Sequence, residues 1–301
     1  VTFDSGGGWR GFSRRYGWRA YALPILLIIT VAALTTTKEI GRRDRAAPLG
    51  RIETPTTAPP ASPSFTLKHD IATGRVNPAV LKAAALPPGG AYTVRGNGTF
   101  RVLKGTSRTV GRGHLYRYSI EVENGVTGID LTQFQQLVVN TLADQRSWSG
   151  HGVAVRRVDS GRVDFRITLV SSFTTRRLCG YTVHVETSCY AAAGGTSNVN
   201  RVVFNVARWT RGAAAYVGDL TAYRVYMINH EDGHAMGHQH AHQCLPGGLA
   251  PVMMQQTFGL RAITTDRLCA ANPWPYPRGA KGAPGAEQPD TPANNEYGRG
   301  D

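Results

Sequence analysis

The chain has 301 residues, enough for one or two domains, and its 35 glycines and 17 prolines are unevenly placed, which favours one folded core with linkers. The formal net charge is +14, but nine Lys/Arg against three Asp/Glu fall within residues 1–51, leaving +8 spread along the rest. No basic run is interleaved with aromatics, so a nucleic-acid partner is not expected; the charge fits solubility or attraction to an anionic cell surface.

Residues 1–20 are rich in Gly and Arg (Arg10, Arg14, Arg15, Arg19) and read as a cytoplasmic basic segment. YALPILLIITVAALTTT (21–37) is uncharged and mostly apolar, at the short end for a spanning helix. Basic residues before it and an extracytoplasmic-looking body after it predict a single-pass anchor in the cell membrane, N-in and C-out. A cleaved signal, giving a secreted protein, is the alternative. Residues 38–64 are a Pro/Thr/Ala-rich linker with too little apolar surface to fold. Residues 65–91 read as a spacer, with a short helix after Asn77-Pro78, and 279–301 as a disordered Pro/Gly/Asn-rich tail.

The folded domain is expected over 92–278. TFRVL (99–103) and LYRYSIEV (115–122) alternate like half-buried strands. Asp130 is a candidate N-cap, with Gln133 at the capping-box position. Leu131, Phe134, Leu137, Val138, Thr141 and Leu142 then share one face of a helix over about 130–145. VAVRRV inside 150–161, VDFRITLV (163–170), YTVHVE (181–186) and RVVFNVARW (201–209) read as further strands, with a loop at Gly194-Gly195. A second helix is expected from Asp219 as N-cap, showing Leu220, Tyr223, Tyr226 and Met227 to a core. This is an α+β layout: a mixed twisted sheet, a backing helix, a second helix and an irregular C-terminal part.

That second helix leads into HEDGHAMGHQH (230–240), which reads HExxHxxGxxH. On a helix His230 and His234 sit one turn apart on one face, as two ligands of one metal ion require. Glu231 follows directly and can address a water on that metal. Gly237 is where the helix can stop and the chain reverse, since glycine takes the left-handed conformation at little cost. The reversal brings back His240 as third ligand; His238 is the alternative if the helix continues. Three imidazoles with one open position describe a single catalytic Zn2+ rather than a closed structural one. Five of the nine histidines lie in 230–242, so a metal-sequestering tract is the rival reading. The four cysteines, Cys179, Cys189, Cys244 and Cys269, form no CxxC pair and suggest two disulfides. Of three connectivities the local one, Cys179–Cys189 with Cys244–Cys269, is favoured.

HExxHxxGxxH followed by PVMMQQT (251–257) resembles the metzincin clan of zinc peptidases. NHExGHxxGHxH with APVMMQQT and CxxNPWP also resembles an uncharacterised actinobacterial family of membrane-anchored or secreted proteins. The resemblance covers about 92–277 and is strongest over 229–257. It implies a zinc endopeptidase acting on a protein or peptide substrate, with ligands His230, His234 and His240, base Glu231, and an irregular lower part after Gly237. Met253, or alternatively Met254, matches the methionine that forms a hydrophobic floor beneath the metal. The chain departs from those relatives at three places: Ala241 follows the last histidine, Gln255 stands where some relatives have a tyrosine ligand, and Asp232 replaces an apolar residue. Gln255, Gln256 and Trp274-Pro275-Tyr276 read either as pocket lining or as core. Two other functions fit the same residues: a non-catalytic zinc-containing binding domain at the cell surface, and a zinc hydrolase of non-protein amides such as cross-linked wall peptides.

Overall fold

The computed structural model describes residues 78–181, 184–262 and 265–278, all within the unit Pro63–Asp301, one of two into which the chain divides. The apolar run 21–37, the linker, the spacer up to residue 77 and the tail 279–301 lie outside the described residues. No described helix is long and apolar enough to cross a membrane.

The fold is α+β around one mixed sheet. Its strands are β1 (Phe100–Val102), β2 (Val110–Gly111), β3 (His114–Glu123), β4 (Val153–Arg157), β5 (Phe165–Val170), β6 (Cys189–Ala191) and β7 (Arg201–Asn205). The order is β2-β4-β3-β5-β7-β6, with β1 paired to the far end of β3. β4, β3, β5 and β7 run parallel, while β1, β2 and β6 pair antiparallel to their neighbours. The helices are α1 (Pro78–Ala83), α2 (Leu131–Ala143), α3 (Ser172–Cys179), α4 (Val206–Arg211) and α5 (Leu220–Ala235). Parallel neighbours need a crossover, and α2 supplies the one between β3 and β4.

Strand alternation separates the two faces. Tyr118, Ile120 and Val122 of β3 stand beside Phe165, Ile167 and Leu169 of β5, which stand beside Val202 and Phe204 of β7. This face forms the main core with Phe134, Val138 and Leu142 of α2 and Tyr223, Tyr226, Met227 and Ile228 of α5. The opposite face carries Glu121, which accepts from Arg166 and Arg201, and the buried Glu123, which accepts from Gly98 N, Ser171 N and Thr174 Oγ1. α3 covers part of that face over Val170 and Val203.

Three elements differ from the sequence reading. Residues 201–209 are not one strand: Asn205 accepts from Ala207 N at 2.9 Å and caps α4, so β7 ends there. α3 lies where the sequence reading assigned no element. Ser171 caps it, and its buried face is Ser172, Thr174, Thr175 and Leu178, a stripe of small hydroxyls that apolar periodicity does not detect. The strand expected over 181–186 is absent among its described residues; the edge strand is instead β6, joined to α3 by the disulfide Cys179–Cys189. The second disulfide is Cys244–Cys269, so the favoured connectivity is the one formed.

α1 is bound into the domain. Arg208 is fully buried; its Nη2 donates to Ala84 O, Nη1 to Gly212 O at 3.0 Å and Nε to Glu186 O at 2.6 Å. Arg208→Met strands these carbonyls without a donor and is expected to lower stability by about 2–4 kcal/mol in equilibrium urea denaturation. Arg162→Met, at an exposed ion pair, should stay within about 0.5 kcal/mol of wild type.

Candidate metal centre

α5 carries the first two histidines. Asp219 caps its start, accepting from Ala222 N at 2.9 Å. Its second half is buried on all sides from Val225 to Gly233, so it lies within the domain rather than on its surface. His230 and His234 stand one turn apart, with ring centroids 4.9 Å from each other. The helix closes at Met236. Gly237 takes φ +97°, Gly237 N donates to His234 O at 3.0 Å, and His238 N donates to Gly233 O at 2.9 Å, the pair of bonds of a Schellman closure.

The reversal carries His240 back over the helix end. Its Nε2 lies 3.0 Å from Nε2 of His234, and its ring is 5.4 Å from that of His230. One ring nitrogen from each of the three histidines falls within 4.8 Å of the others, a group able to hold a metal ion. His238 is not in this group; its ring stacks on Trp148 at 4.1 Å.

Second nitrogens fix the orientation of two rings. His230 Nδ1 is 2.8 Å from Val252 O and His234 Nδ1 is 2.8 Å from His238 O. A carbonyl only accepts, so each Nδ1 carries the proton and each Nε2 presents its lone pair. The His234 lone pair therefore faces His240 Nε2 at 3.0 Å, where it can accept a proton held by His240 or share a cation with it. Burial also keeps the rings neutral: it pushes His230 down to about 3 and His234 down to about 4, and holds His240 well below the usual imidazole value. A neutral, converging, half-enclosed set of imidazoles fits a borderline-soft divalent ion.

The turn at Pro251–Met254, closed by Met254 N to Pro251 O at 3.0 Å, sits against this group. Val252 O orients His230, and Met253 O accepts from Ala241 N at 3.0 Å, so two adjacent carbonyls of the turn hold both the helix imidazole and the loop after His240. Met253 is buried and packs on the helix at Gly233. A Cβ at Gly233 would meet Met253 Sδ at 2.6 Å and Trp148 Cζ2 at 2.8 Å, so only glycine admits this approach.

Gln256 holds the turn in place. It is fully buried; its Nε2 donates to Pro251 O at 3.0 Å and Asn272 O at 2.8 Å, and its Oε1 accepts from Tyr216 Oη at 2.9 Å and Asn272 N at 3.1 Å. Asn229 joins the C-terminal segment to α5: Nδ2 donates to Pro273 O at 2.9 Å, and Oδ1 accepts from Ser147 Oγ at 2.7 Å. Gln256 is therefore core, Gln255 borders a neighbouring cavity, and Trp274 lies under the Arg146 guanidinium.

Glu231 is nearly enclosed at 7 % exposure, and burial pushes its carboxyl up to about 8. Asp232 is fully buried with neither carboxylate oxygen hydrogen-bonded; burial and the neighbouring Glu231 charge raise it well above the usual range. It is buried with no Arg partner within ion-pair distance, an environment that disfavours its charged form. Of the residues singled out in the sequence, the structure brings His230, His234 and His240 together, reverses the chain at Gly237, buries Glu231 and Met253, and makes Gln256 core rather than pocket lining. The sequence reading gave no role to Gly233, Asn229 or Trp148; the physical signal for Gly233 was a glycine inside a helix, where it lowers stability unless packing requires it.

Residues 86–277 match a family model described as protein of unknown function (DUF3152). No curated protein and no solved structure matches the chain.

Zinc titration distinguishes the two candidate third histidines. His240→Ala is expected to weaken binding at least about tenfold, and His238→Ala to leave it within a few-fold. Without metal, the shifts fix a pH dependence. The depressed imidazoles contribute fully above 6.5 and lose that contribution as pH falls through about 4 and then about 3. The raised Glu231 contributes fully below 4.5 and loses it as pH rises through about 8. Metal-free stability should therefore peak near 6.5, the ordinary imidazole value, and fall on both sides in urea midpoints taken from about pH 4 to 9.

Proposed function

The chain belongs to that family of unknown function, and from the site alone we propose that it is an extracytoplasmic zinc-dependent endopeptidase of the metzincin kind. The observation that carries this reading is the convergence of His230, His234 and His240 within 4.8 Å, with an enclosed glutamate next in sequence to the first of them. The mixed sheet with α2 and α5 on one face, the reversal at Gly237 and the buried Met253 under Gly233 support it. Two disulfides support an oxidising compartment, and the apolar run 21–37 supports membrane attachment or export.

Bound at the three imidazoles, zinc supplies water with a pKa near about 7 and a Lewis acid for the scissile carbonyl. The protein's own residues do the rest. The Nδ1–H bonds of His230 and His234 to backbone carbonyls hold both rings with Nε2 inward, so little reorganisation is needed. Glu231 accepts a proton from the attacking water as the C–O bond forms. It returns that proton to the amide nitrogen as the C–N bond breaks, so the leaving group departs as a neutral amine. Enclosure suits this exchange: a carboxylate with raised proton affinity both takes and returns the proton near neutral pH, and a bound dication would pull its pKa down toward that of the water.

Glu231→Ala is expected to fold and retain stoichiometric zinc while losing at least about a hundredfold in chelator-sensitive peptide cleavage. Cleavage by the zinc-loaded variant at the wild-type rate would refute the mechanism. Absence of stoichiometric zinc in the wild type would refute the assignment itself.

A further inference from the structure

Away from the metal centre, a cavity of about 370 Å³ opens between α2 and the first turns of α5. The buried rings of Phe134 and Trp209 contribute its apolar lining. Gln133, Gln136 and Asn140 line it from α2; they recur at i, i+3 and i+7, so three exposed carboxamides form a row along that helix. Arg224 lines it from α5. It lies six residues before His230, about 9 Å along the helix and about 120° around it, and the cavity shares no lining residue with the histidine cluster.

Arg224 is held by one edge only. Its Nε donates to Trp209 O at 2.8 Å, and its guanidinium carbon lies 4.8 Å from the Trp209 ring centroid. These contacts fix the plane of the group and leave Nη1 and Nη2 with no acceptor among the described residues. No carboxylate pairs with it, and burial alone pulls its pKa below the usual value. Joining α5 to the end of α4 needs a single N–H; a half-buried cation without a counter-charge is an expensive way to supply one. A planar fork with its outer edge open is the geometry that takes a two-oxygen anion.

The facing helix offers the complementary groups. Gln136 Nε2 donates to Asn140 Oδ1 at 2.7 Å, which leaves Gln136 Oε1 as an acceptor beside Asn140 Nδ2 as a donor. Such a pair matches the N–H and C=O of one peptide unit. Asp130 also borders the cavity, its Oδ1 accepting from Thr132 N and Gln133 N. One guanidinium and one carboxylate leave the site near neutrality, so it admits a monoanion and disfavours a phosphate dianion.

We infer that this cavity binds the carboxyl end of a peptide, with Arg224 taking the terminal carboxylate and the Gln136–Asn140 pair taking the preceding peptide unit. The inference does not rest on the peptidase reading.

The test uses the full chain with 15N-labelled arginine, and N-acetylglycylglycine is the probe. The Arg224 Nε–H signal, identified by its loss in Arg224→Gln, should shift on titration. In calorimetry the C-terminally amidated probe should bind at least about tenfold more weakly, because it brings no anion to the guanidinium. Arg224→Gln should weaken binding of the free acid by at least about tenfold. Gln136→Ala, at an exposed helix position that leaves the fold intact, should weaken it by about threefold or more. No shift of the Arg224 signal, or equal affinity for the acid and the amide, overturns the inference. Should Arg224→Gln fail to fold, the amidated probe and Gln136→Ala still decide it. Acetate binding as tightly as the dipeptide, or unchanged affinity in Gln136→Ala, overturns the peptide assignment. Inorganic phosphate binding more tightly than the dipeptide overturns the choice of a monoanion.

Discussion

The centre depends on one reversal of the chain. α5 delivers His230 and His234 on one face, but a straight helix cannot bring a third imidazole to meet both: His238, one turn further, continues the row instead of closing it. At Gly237 the backbone enters the left-handed region, where a side chain is costly, and the helix is closed by bonds to Gly233 O and His234 O. Those bonds also set His238 O against Nδ1 of His234 and bring Nε2 of His240 to 3.0 Å from Nε2 of His234. Helix termination, orientation of the His234 ring and recruitment of the third imidazole are thus one structural event within eight residues.

The reversal is useful only if something holds the returning chain, and this is the role of the turn at Pro251–Met254. Its two central carbonyls reach in opposite directions, Val252 O to the His230 ring and Met253 O to Ala241 N. Gln256 and Asn272 then satisfy the turn's remaining groups in a buried amide network, where a lost partner leaves a desolvated donor or acceptor. The lower part of the domain is irregular in secondary structure yet tightly specified: side-chain amides replace the ladder that strands would give.

What the sequence reveals here follows from how far each feature's physics reaches along the chain. Asp130 and Asp219 as caps, the alternation in 115–122 and 163–170, and the spacing of the histidines are local; both caps form, the strands run over 114–123 and 165–170, and the histidines fall on one helix and its closing turn. The local disulfides formed because short loops bring their cysteines together. Features fixed by contacts distant in sequence were hidden. α3 buries hydroxyls because Glu123, 51 residues earlier, needs the donor of Thr174. Gly233 is required by Trp148 and Met253, which come from opposite sides of it in sequence. α1 reads as spacer because its anchor, Arg208, lies more than a hundred residues downstream.

The pair Glu231-Asp232 shows how the site's electrostatics are arranged. Two carboxyls adjacent in sequence are both withdrawn from water, on the helix whose two histidines are kept neutral by the same burial. Were both ionised with the site empty, two negative charges would stand close together in a poorly polarisable interior with nothing to offset them. Burial disfavours the charge on Asp232, and the neighbouring Glu231 adds to that effect. A dication at the imidazoles would favour Glu231 as the anion a base must be. Asp232, the residue that departs from the motif's usual apolar position, is thus pushed toward the protonated form, which is the form that is cheapest to bury because it carries no net charge.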